Sequence, residues 1–275
     1  MSVPQIPDDA AAPAEVRRTY ADIRATLDTQ VVNLIFRRLA ALGTDVLDEA
    51  WERIRPAYVD GRIAAGARLV RAAAAGPAPV AVSGLTAGPL SGRDLRSIRA
   101  LLATYNQNNA RNFVAFAALL GMGEGHDPAP LTPGDKPGGP DDDDVPGAVV
   151  LPPLPALGEL DPALQAQARR LGRYFDPSPD SRTVASLFLH LSYWPHALDV
   201  AERVLAPLDA DGSLDRMREQ TAEAGRRAAA ALAGIAAPPG LRTRIRPVAG
   251  EIVERVLPGG IPAGAVLEAA FARVR

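Results

Sequence analysis

The apolar residues of this chain recur at the spacing of amphipathic helices, and this periodicity restricts the fold more than any other feature. Two segments carry apolar residues at positions i, i+3, i+4 and i+7, which share one face of a helix. They are Phe113, Phe116, Ala117 and Leu120, and Val184, Leu187, Phe188 and Leu191. Alanine, the strongest helix former, is abundant, aromatic residues make up only 5% of the chain, and β-sheet formers are scarce. We therefore predict an all-α protein.

Residues 121–158 are so rich in proline, glycine and aspartate that they cannot supply a packed core, and we predict that they form a linker. This linker separates two blocks of similar length, residues 15–120 and 159–275. The small, polar and proline-containing residues 1–14 are expected to form a disordered tail.

The two blocks share short identities when one is shifted by about 151 residues along the other. These are Leu47, Asp48 and Ala50 with Leu198, Asp199 and Ala201, Pro56 with Pro207, and Asp60-Gly61 with Asp211-Gly212. Because one shift aligns all of them, we predict an internal duplication. Its product would be a pseudo-dimer of two tandem helical repeats within one chain.

The charge and cysteine content exclude several classes of function. Thirty basic and 32 acidic residues are interleaved, and no segment combines arginine with aromatic residues, so nucleic acid is not expected as a partner. The absence of cysteine excludes disulfides and thiolate chemistry. The first residues lack the pattern of a secretory signal, and no apolar run approaches the roughly 20 residues of a membrane span. We expect a cytoplasmic protein without a membrane partner.

The stretch LLATYNQNNARNFVAF, residues 101–116, places a cluster of amide side chains in apolar surroundings. One interpretation is structural: the cluster lies at the junction of two helices, and Asn109 caps a helix that begins near Ala110. The other is functional: the amides orient a water or a substrate carboxylate in an apolar pocket, where unpaired polar groups are costly. Capping accounts for one or two amides and leaves the others unexplained. The cluster consists of Asn106, Gln107, Asn108, Asn109 and Asn112.

Ser186 and His190 are four residues apart in ASLFLHLSYWP, residues 185–195, a spacing that would let a nucleophile and a base meet on one helix. No acid is placed to orient the imidazole, so we favour a core helix that ends at Pro195. The three histidines lack ligand spacing with carboxylates, and the aspartates at 141–144 lack the spacing of a calcium loop. We predict neither a metal nor a cofactor.

Two stretches resemble the group I 2-haloacid dehalogenases, a family that hydrolyses both enantiomers of 2-halocarboxylic acids. In TYADIRATLDTQVVNLIFRRLAAL, residues 19–42, the family's opening Tyr-x-Asp-Ile-Arg motif matches Tyr20, Asp22, Ile23 and Arg24. ALLATYNQNNARNFVAFAAL is similar to the family's aromatic-Asn-x-x-Asn segment. The resemblance implies a duplicated helical fold and a small carboxylic-acid ligand. It also implies a homodimer, for which the sequence itself offers no evidence.

The same resemblance implies a mechanism in which an asparagine and an aspartate hold a water that attacks the halogen-bearing carbon directly. The asparagine maps onto Asn109, and we expect Ser186 and Asn106 to bind the substrate. The aspartate belongs to a Ser-Asp-Phe step that is Ser186-Leu187-Phe188 here, so its position is occupied by Leu187. Leucine cannot accept a proton, and loss of a general base typically costs about 10²- to 10⁴-fold in rate.

Two functions therefore stay open. The protein is either a hydrolase of this class with another base, for which His190 and Asp180 are the candidates, or a non-catalytic carboxylate-binding or structural homologue. In both cases we expect Asn109 and Leu187 to lie close together.

Overall fold

The computed structural model of the protein describes residues 4–7, 11–75, 85–132, 150–178 and 184–274, and the secondary structure of these residues is entirely helical. Short 3₁₀-helices cover Leu157–Glu159 and Ala233–Ile235, and π-helical turns cover Arg246–Gly250 and Ile252–Val256. The α-helices are α1 (Ala14–Leu27), α2 (Leu34–Leu42), α3 (Thr44–Val59), α4 (Arg62–Ala74), α5 (Gly92–Leu119), α6 (Pro162–Gly172), α7 (Ser186–Leu191), α8 (Pro195–Ala210), α9 (Ser213–Ala230), α10 (Pro239–Ile245) and α11 (Leu257–Arg273).

This architecture confirms the predicted all-α class. Most residues of the apolar faces that predicted helices are buried, including Phe113, Phe116, Leu187 and Phe188. Val184 is half-buried and precedes the first residue of α7. Within the described ranges, none of the helices combines the length and apolarity needed to cross a membrane.

The chain forms two compact units, each assembled from three segments. Unit 1 comprises Met1–Val70, Ala110–Asp142 and Ala222–Arg255, and unit 2 comprises Arg71–Asn109, Asp143–Thr221 and Val256–Arg275. Each unit therefore takes segments from both predicted repeats, and three of the five boundaries between units fall within α4, α5 and α9. The division into tandem repeats and the pseudo-dimer stay predictions.

Polar contacts join α1 to α3 in unit 1. The Thr19 hydroxyl donates to Asp48 at 2.6 Å, and Asp22 accepts both the Trp51 indole N–H at 2.7 Å and the Arg55 Nε at 2.7 Å. The hydrogen bond from Arg55 is the main cause that holds the pKa of Asp22 below its usual value. The motif that carries Asp22 thus fixes the first helix against the third.

Aromatic rings and close helix contacts build the core of unit 1. The ring of Phe36 lies 5.8 Å from that of Trp51 and 5.3 Å from that of Phe116, both in edge-to-face arrangements. A Cβ added at Gly225 would lie 2.1 Å from the ring of Phe113. Glycine is therefore required where α9 meets the unit 1 part of α5.

Parts of the predicted tail and linker make contacts in unit 1. The N–H of Ile6 donates to the carbonyl of Arg37 at 3.0 Å, and its own carbonyl accepts from the Tyr20 hydroxyl at 2.9 Å. From the predicted linker, the N–H of Ala129 donates to the carbonyl of Arg227 at 3.0 Å. Residues Ile6 and Ala129 of the predicted tail and linker are thus hydrogen-bonded to unit 1.

Unit 2 packs α6, α7 and α11 around α8. Gln167 of α6 donates to Asp199 of α8 at 2.8 Å, and the rings of Phe175 and Phe188 lie 4.9 Å apart. A Cβ added at Gly260 would lie 2.6 Å from the Phe175 ring, so the first turn of α11 approaches that ring closely. Helix α11 therefore packs closely against the Phe175 ring in unit 2.

Two helix-turn segments, one in each unit, have the same construction. Helices α3 and α8 both have 16 residues, a proline three residues before the end, and an Asp-Gly turn whose glycine has a positive φ. In each turn the aspartate carboxylate accepts the N–H of the first residue of the next helix. The matched pairs are Pro56 and Pro207, Asp60 and Asp211, and Gly61 and Gly212. These pairs are among those that the shift of 151 aligns, which favours the predicted duplication.

Candidate active site

The start of α5 is fixed by a reciprocal pair of hydrogen bonds. The N–H of Asp94 donates to the Ser91 hydroxyl at 3.1 Å, and the N–H of Ser91 donates to the Asp94 carboxylate at 2.9 Å, as in a capping box. Trp194, at the start of α8, donates its indole N–H to the same carboxylate at 2.9 Å. The hydrogen bonds from Ser91, followed by that from Trp194, hold the pKa of Asp94 below its usual value.

The amide cluster does not lie at a helix junction. Helix α5 runs without interruption from Gly92 to Leu119, so the prediction that Asn109 caps a second helix near Ala110 is wrong. Asparagine in a helix interior costs less than about 0.7 kcal/mol per residue relative to alanine, which tertiary contacts can offset. The amides are therefore side chains of a continuous helix, and their function is not to end one.

Three asparagines, Asn106, Asn108 and Asn109, form a buried amide row in the unit 2 part of α5. Asn106 and Asn109 are three residues apart and share a face of the helix. Burying polar side chains in an apolar environment is costly unless they bond to protein groups, water or a ligand. The sequence correctly placed these amides in buried surroundings.

Asn106 is held from α11. Its Nδ2 donates to Oε2 of Glu268 at 2.6 Å, and only 2% of the residue is exposed. Its Oδ1 has no hydrogen-bond partner among the described residues. That oxygen lies against Gly264, where an added Cβ would come within 2.0 Å of it. Gly264 and Glu268 are one turn apart on α11, so the same face of that helix meets Asn106 twice.

His190 is fully buried, and both ring nitrogens have partners. The Tyr105 hydroxyl lies 2.7 Å from Nδ1, and the carbonyl oxygen of Pro152 lies 3.0 Å from Nε2. Because a carbonyl only accepts, Nε2 carries the hydrogen, and the Tyr105 hydroxyl donates to Nδ1. The nitrogen of His190 that could accept a proton therefore faces the Tyr105 hydroxyl. If His190 acted as a base, it would take a proton from Tyr105 and not directly from Ser186.

The positions predicted around the missing aspartate have different environments. Leu187 is 1% exposed, whereas Ser186, the first residue of α7, is half-buried. Leu187 and Asn109 both belong to unit 2. Asp180, the other candidate base, lies outside the described residues.

Helix α7 ends earlier than predicted. Its last residue is Leu191, and Pro195 is the first residue of α8, so the prediction that Pro195 ends this helix is wrong. Proline at the first helical position loses no hydrogen bond, because the N–H there has no partner within the helix.

The described ranges contain no cluster of three or more histidine, aspartate or glutamate side chains that could hold a metal ion. The buried polar side chains of unit 2 are instead three amides, two hydroxyls, an imidazole and a carboxylate, namely Asn106, Asn108, Asn109, Ser192, Thr221, His190 and Asp176. The half-buried carboxylate of Glu268 adjoins them at Asn106. This set can bind and orient a water or a small polar ligand and can accept a proton.

Sequence reasoning missed Glu268. It stands 162 residues after Asn106 in a helix without a recognisable motif. The sequence feature that could have indicated Glu268 is its four-residue spacing from Gly264, which puts a small residue and a carboxylate on one helix face.

No family model matches this chain, and no curated protein matches its sequence. Solved structures do match its fold. Three structures of a D-2-haloacid dehalogenase have a TM-score of 0.73 and 14–15% identity, and the match covers 98% of this chain and 96% of theirs. They include a mutant with D-2-CPA and a complex with L-LA. The chain therefore has a 2-haloacid dehalogenase-like fold, as the sequence resemblance predicted.

Proposed function

We propose that this protein is a hydrolase of small 2-halocarboxylic acids, in which a water displaces halide directly from the 2-carbon. The observation that carries the proposal is the buried amide row of α5, in a chain whose fold matches D-2-haloacid dehalogenase structures over almost its whole length. Buried amides are costly unless they bond to polar groups, and a water or a substrate carboxylate can be one of those groups.

In the proposed reaction, Asn109 orients the water through its amide oxygen and its N–H groups. The water oxygen forms a bond to the 2-carbon while the carbon–halogen bond breaks. The halide leaves with the bonding electron pair, and a base takes the proton that the water loses. The product is the 2-hydroxy acid. Ser186 and Asn106 would bind the substrate carboxylate, since a hydroxyl and an amide N–H can both donate to it.

A second candidate function follows from the environment of Leu187. This side chain is almost completely buried and has no group that can accept a proton. A protein that holds a small carboxylic acid without reacting would need the amides and no base. The second candidate is therefore a non-catalytic carboxylate-binding or structural homologue.

Halide release from the separate enantiomers of 2-chloropropionate tests the proposal. We expect the wild type to release halide and Asn109→Ala to lose about 10²-fold or more of the rate, as when one positioned polar group is removed from an active site. Gln107→Ala is the matched control, because it removes a half-buried amide from the same cluster. Its rate should stay close to that of the wild type.

Leu187→Asp is the companion variant, with Leu187→Asn as a control that adds polarity without a base. A gain of rate in Leu187→Asp alone would support the assigned position of the missing carboxylate. Ligand binding without halide release in the wild type would favour the second candidate. If neither the wild type nor Leu187→Asp releases halide or binds 2-chloropropionate, the proposal is wrong.

A further inference from the structure

Glu268 is a half-buried carboxylate beside the amide row. Its one hydrogen bond within the described part of the chain is from Asn106, at 2.6 Å, and it forms no ion pair there. Many other carboxylates contact arginine, among them Asp22 with Arg55 and Glu251 with Arg38. Glu268 is therefore held by a neutral amide and not by an arginine. A carboxylate is one of the side chains that can act as a general base.

The backbone of α11 brings this carboxylate to α5 with little freedom. Gly264 permits the close approach, since any side chain there would meet Oδ1 of Asn106. One turn later, Glu268 accepts the Nδ2 hydrogen of the same amide. Asn109 follows Asn106 on the same face of α5, which places the residue expected to orient the water one turn from the residue that holds Glu268.

We propose that Glu268 is the general base of the reaction and supplies the carboxylate that Leu187 cannot. This inference rests on the proposed function. The carboxylate takes a proton from the water as the water oxygen bonds to the 2-carbon and the halide leaves with its electron pair. Glu268 then releases the proton to solvent, which the partial exposure of its side chain allows. Asn106, which the proposed function also places against the substrate, positions Glu268 through the Nδ2 hydrogen that it donates to the Glu268 carboxylate.

A purely structural Asn106–Glu268 bond would join α5 to α11 and do nothing else. Glu268→Gln separates the two roles, because the glutamine oxygen can still accept from Asn106 but is a far weaker base. The base role predicts that Glu268→Gln lowers kcat by about 10²- to 10⁴-fold with an unchanged melting temperature. It also predicts a difference in pH dependence. The rate of the wild type should fall at acid pH, because the base becomes protonated, and the residual rate of Glu268→Gln should not show this fall.

The experiment measures halide release from 2-chloropropionate across pH by the wild type, Glu268→Gln and Glu268→Asp. Glu219→Gln, an exposed glutamate of α9 in unit 2, is the matched control. We expect Glu268→Asp to keep part of the rate and the control to keep all of it. Adding Leu187→Asp to Glu268→Gln should restore turnover if one carboxylate can replace the other.

Failure of the Glu268 assignment and failure of the proposed function give different results. If the wild type releases halide and Glu268→Gln keeps its rate within about threefold, well short of the loss of a base, Glu268 is not the base and the proposed function stands. If the wild type releases no halide, the proposed hydrolysis fails and the assignment of Glu268 fails with it.

Discussion

The hydroxyl of Tyr105 lies 2.7 Å from Nδ1 of the fully buried His190. The opposite nitrogen of the ring bonds to the carbonyl of Pro152, so the imidazole links the unit 2 part of α5, α7 and the segment before α6. Two fixed partners define both the tautomer and the orientation of the ring.

Removal of that hydroxyl should destabilise the protein. In Tyr105→Phe the buried Nδ1 loses its donor, and we expect a loss of about 1–3 kcal/mol in the free energy of unfolding, the usual cost of an unsatisfied buried polar group. Urea denaturation measures it. Tyr193→Phe is the control, because it removes a tyrosine hydroxyl at an exposed position, where the hydroxyl donates to the carbonyl of Pro153 at 3.0 Å. If Tyr193→Phe loses as much free energy of unfolding as Tyr105→Phe, the burial of His190 does not explain the cost.

A second prediction concerns stability and follows from the close approach of α11 to Asn106. In Gly264→Ala the new methyl group would meet Oδ1 of an amide that Glu268 holds in place. We expect a loss of about 1–3 kcal/mol in the free energy of unfolding, as for other overpacked sites, together with reduced halide release.

Gly240→Ala is the control for this substitution. Gly240 is also helical, but an added Cβ there meets nothing within 4 Å. Alanine is the better helix former, so the control should be neutral or gain up to about 1 kcal/mol. Equal stability of Gly264→Ala and the wild type would argue against a rigid contact at Asn106.

The sequence predicted the helical class because alanine content and apolar spacing are local properties. It also predicted that the amides lie in buried surroundings. It did not predict that α5 continues through them, because asparagine is also favoured at helix ends and local preference cannot distinguish the two cases. It did not predict the contact that holds Asn106, because Glu268 lies 162 residues later. The two compact units were missed for a similar reason: each joins segments far apart in the chain, and repeat spacing carries no information on which segments pack together.

The pH dependence of stability should depend in part on Asp22. Its pKa in the folded protein lies below the ordinary value of 3.8, mainly because Arg55 donates to it. Its stabilising contribution is therefore complete above pH 3.8 and is lost as the pH falls through the lower folded-state pKa. Since both side chains are more than a third exposed, we expect Asp22→Asn to cost only about 0.2–1 kcal/mol at neutral pH.

Urea denaturation at neutral pH and at successively lower pH tests this. The difference between Asp22→Asn and the wild type should shrink as the pH falls below 3.8. Glu52→Gln, which changes an exposed carboxylate of α3, is the control and should differ little from the wild type. A difference that grows in acid would mean that the folded-state pKa is raised and not lowered.

The hydroxyl of Tyr58 donates to Oδ1 of Asn112 at 2.7 Å in the interior of unit 1, and burial raises the pKa of Tyr58. Tyr58→Phe should cost about 1–3 kcal/mol in the free energy of unfolding, because it leaves a buried amide oxygen without its donor. Asn112→Leu in the same chain removes the unsatisfied group. We therefore expect the double variant to be less destabilised than the sum of the single variants, with a coupling of about 0.5–3 kcal/mol. Additive losses would show that the amide and the hydroxyl act independently.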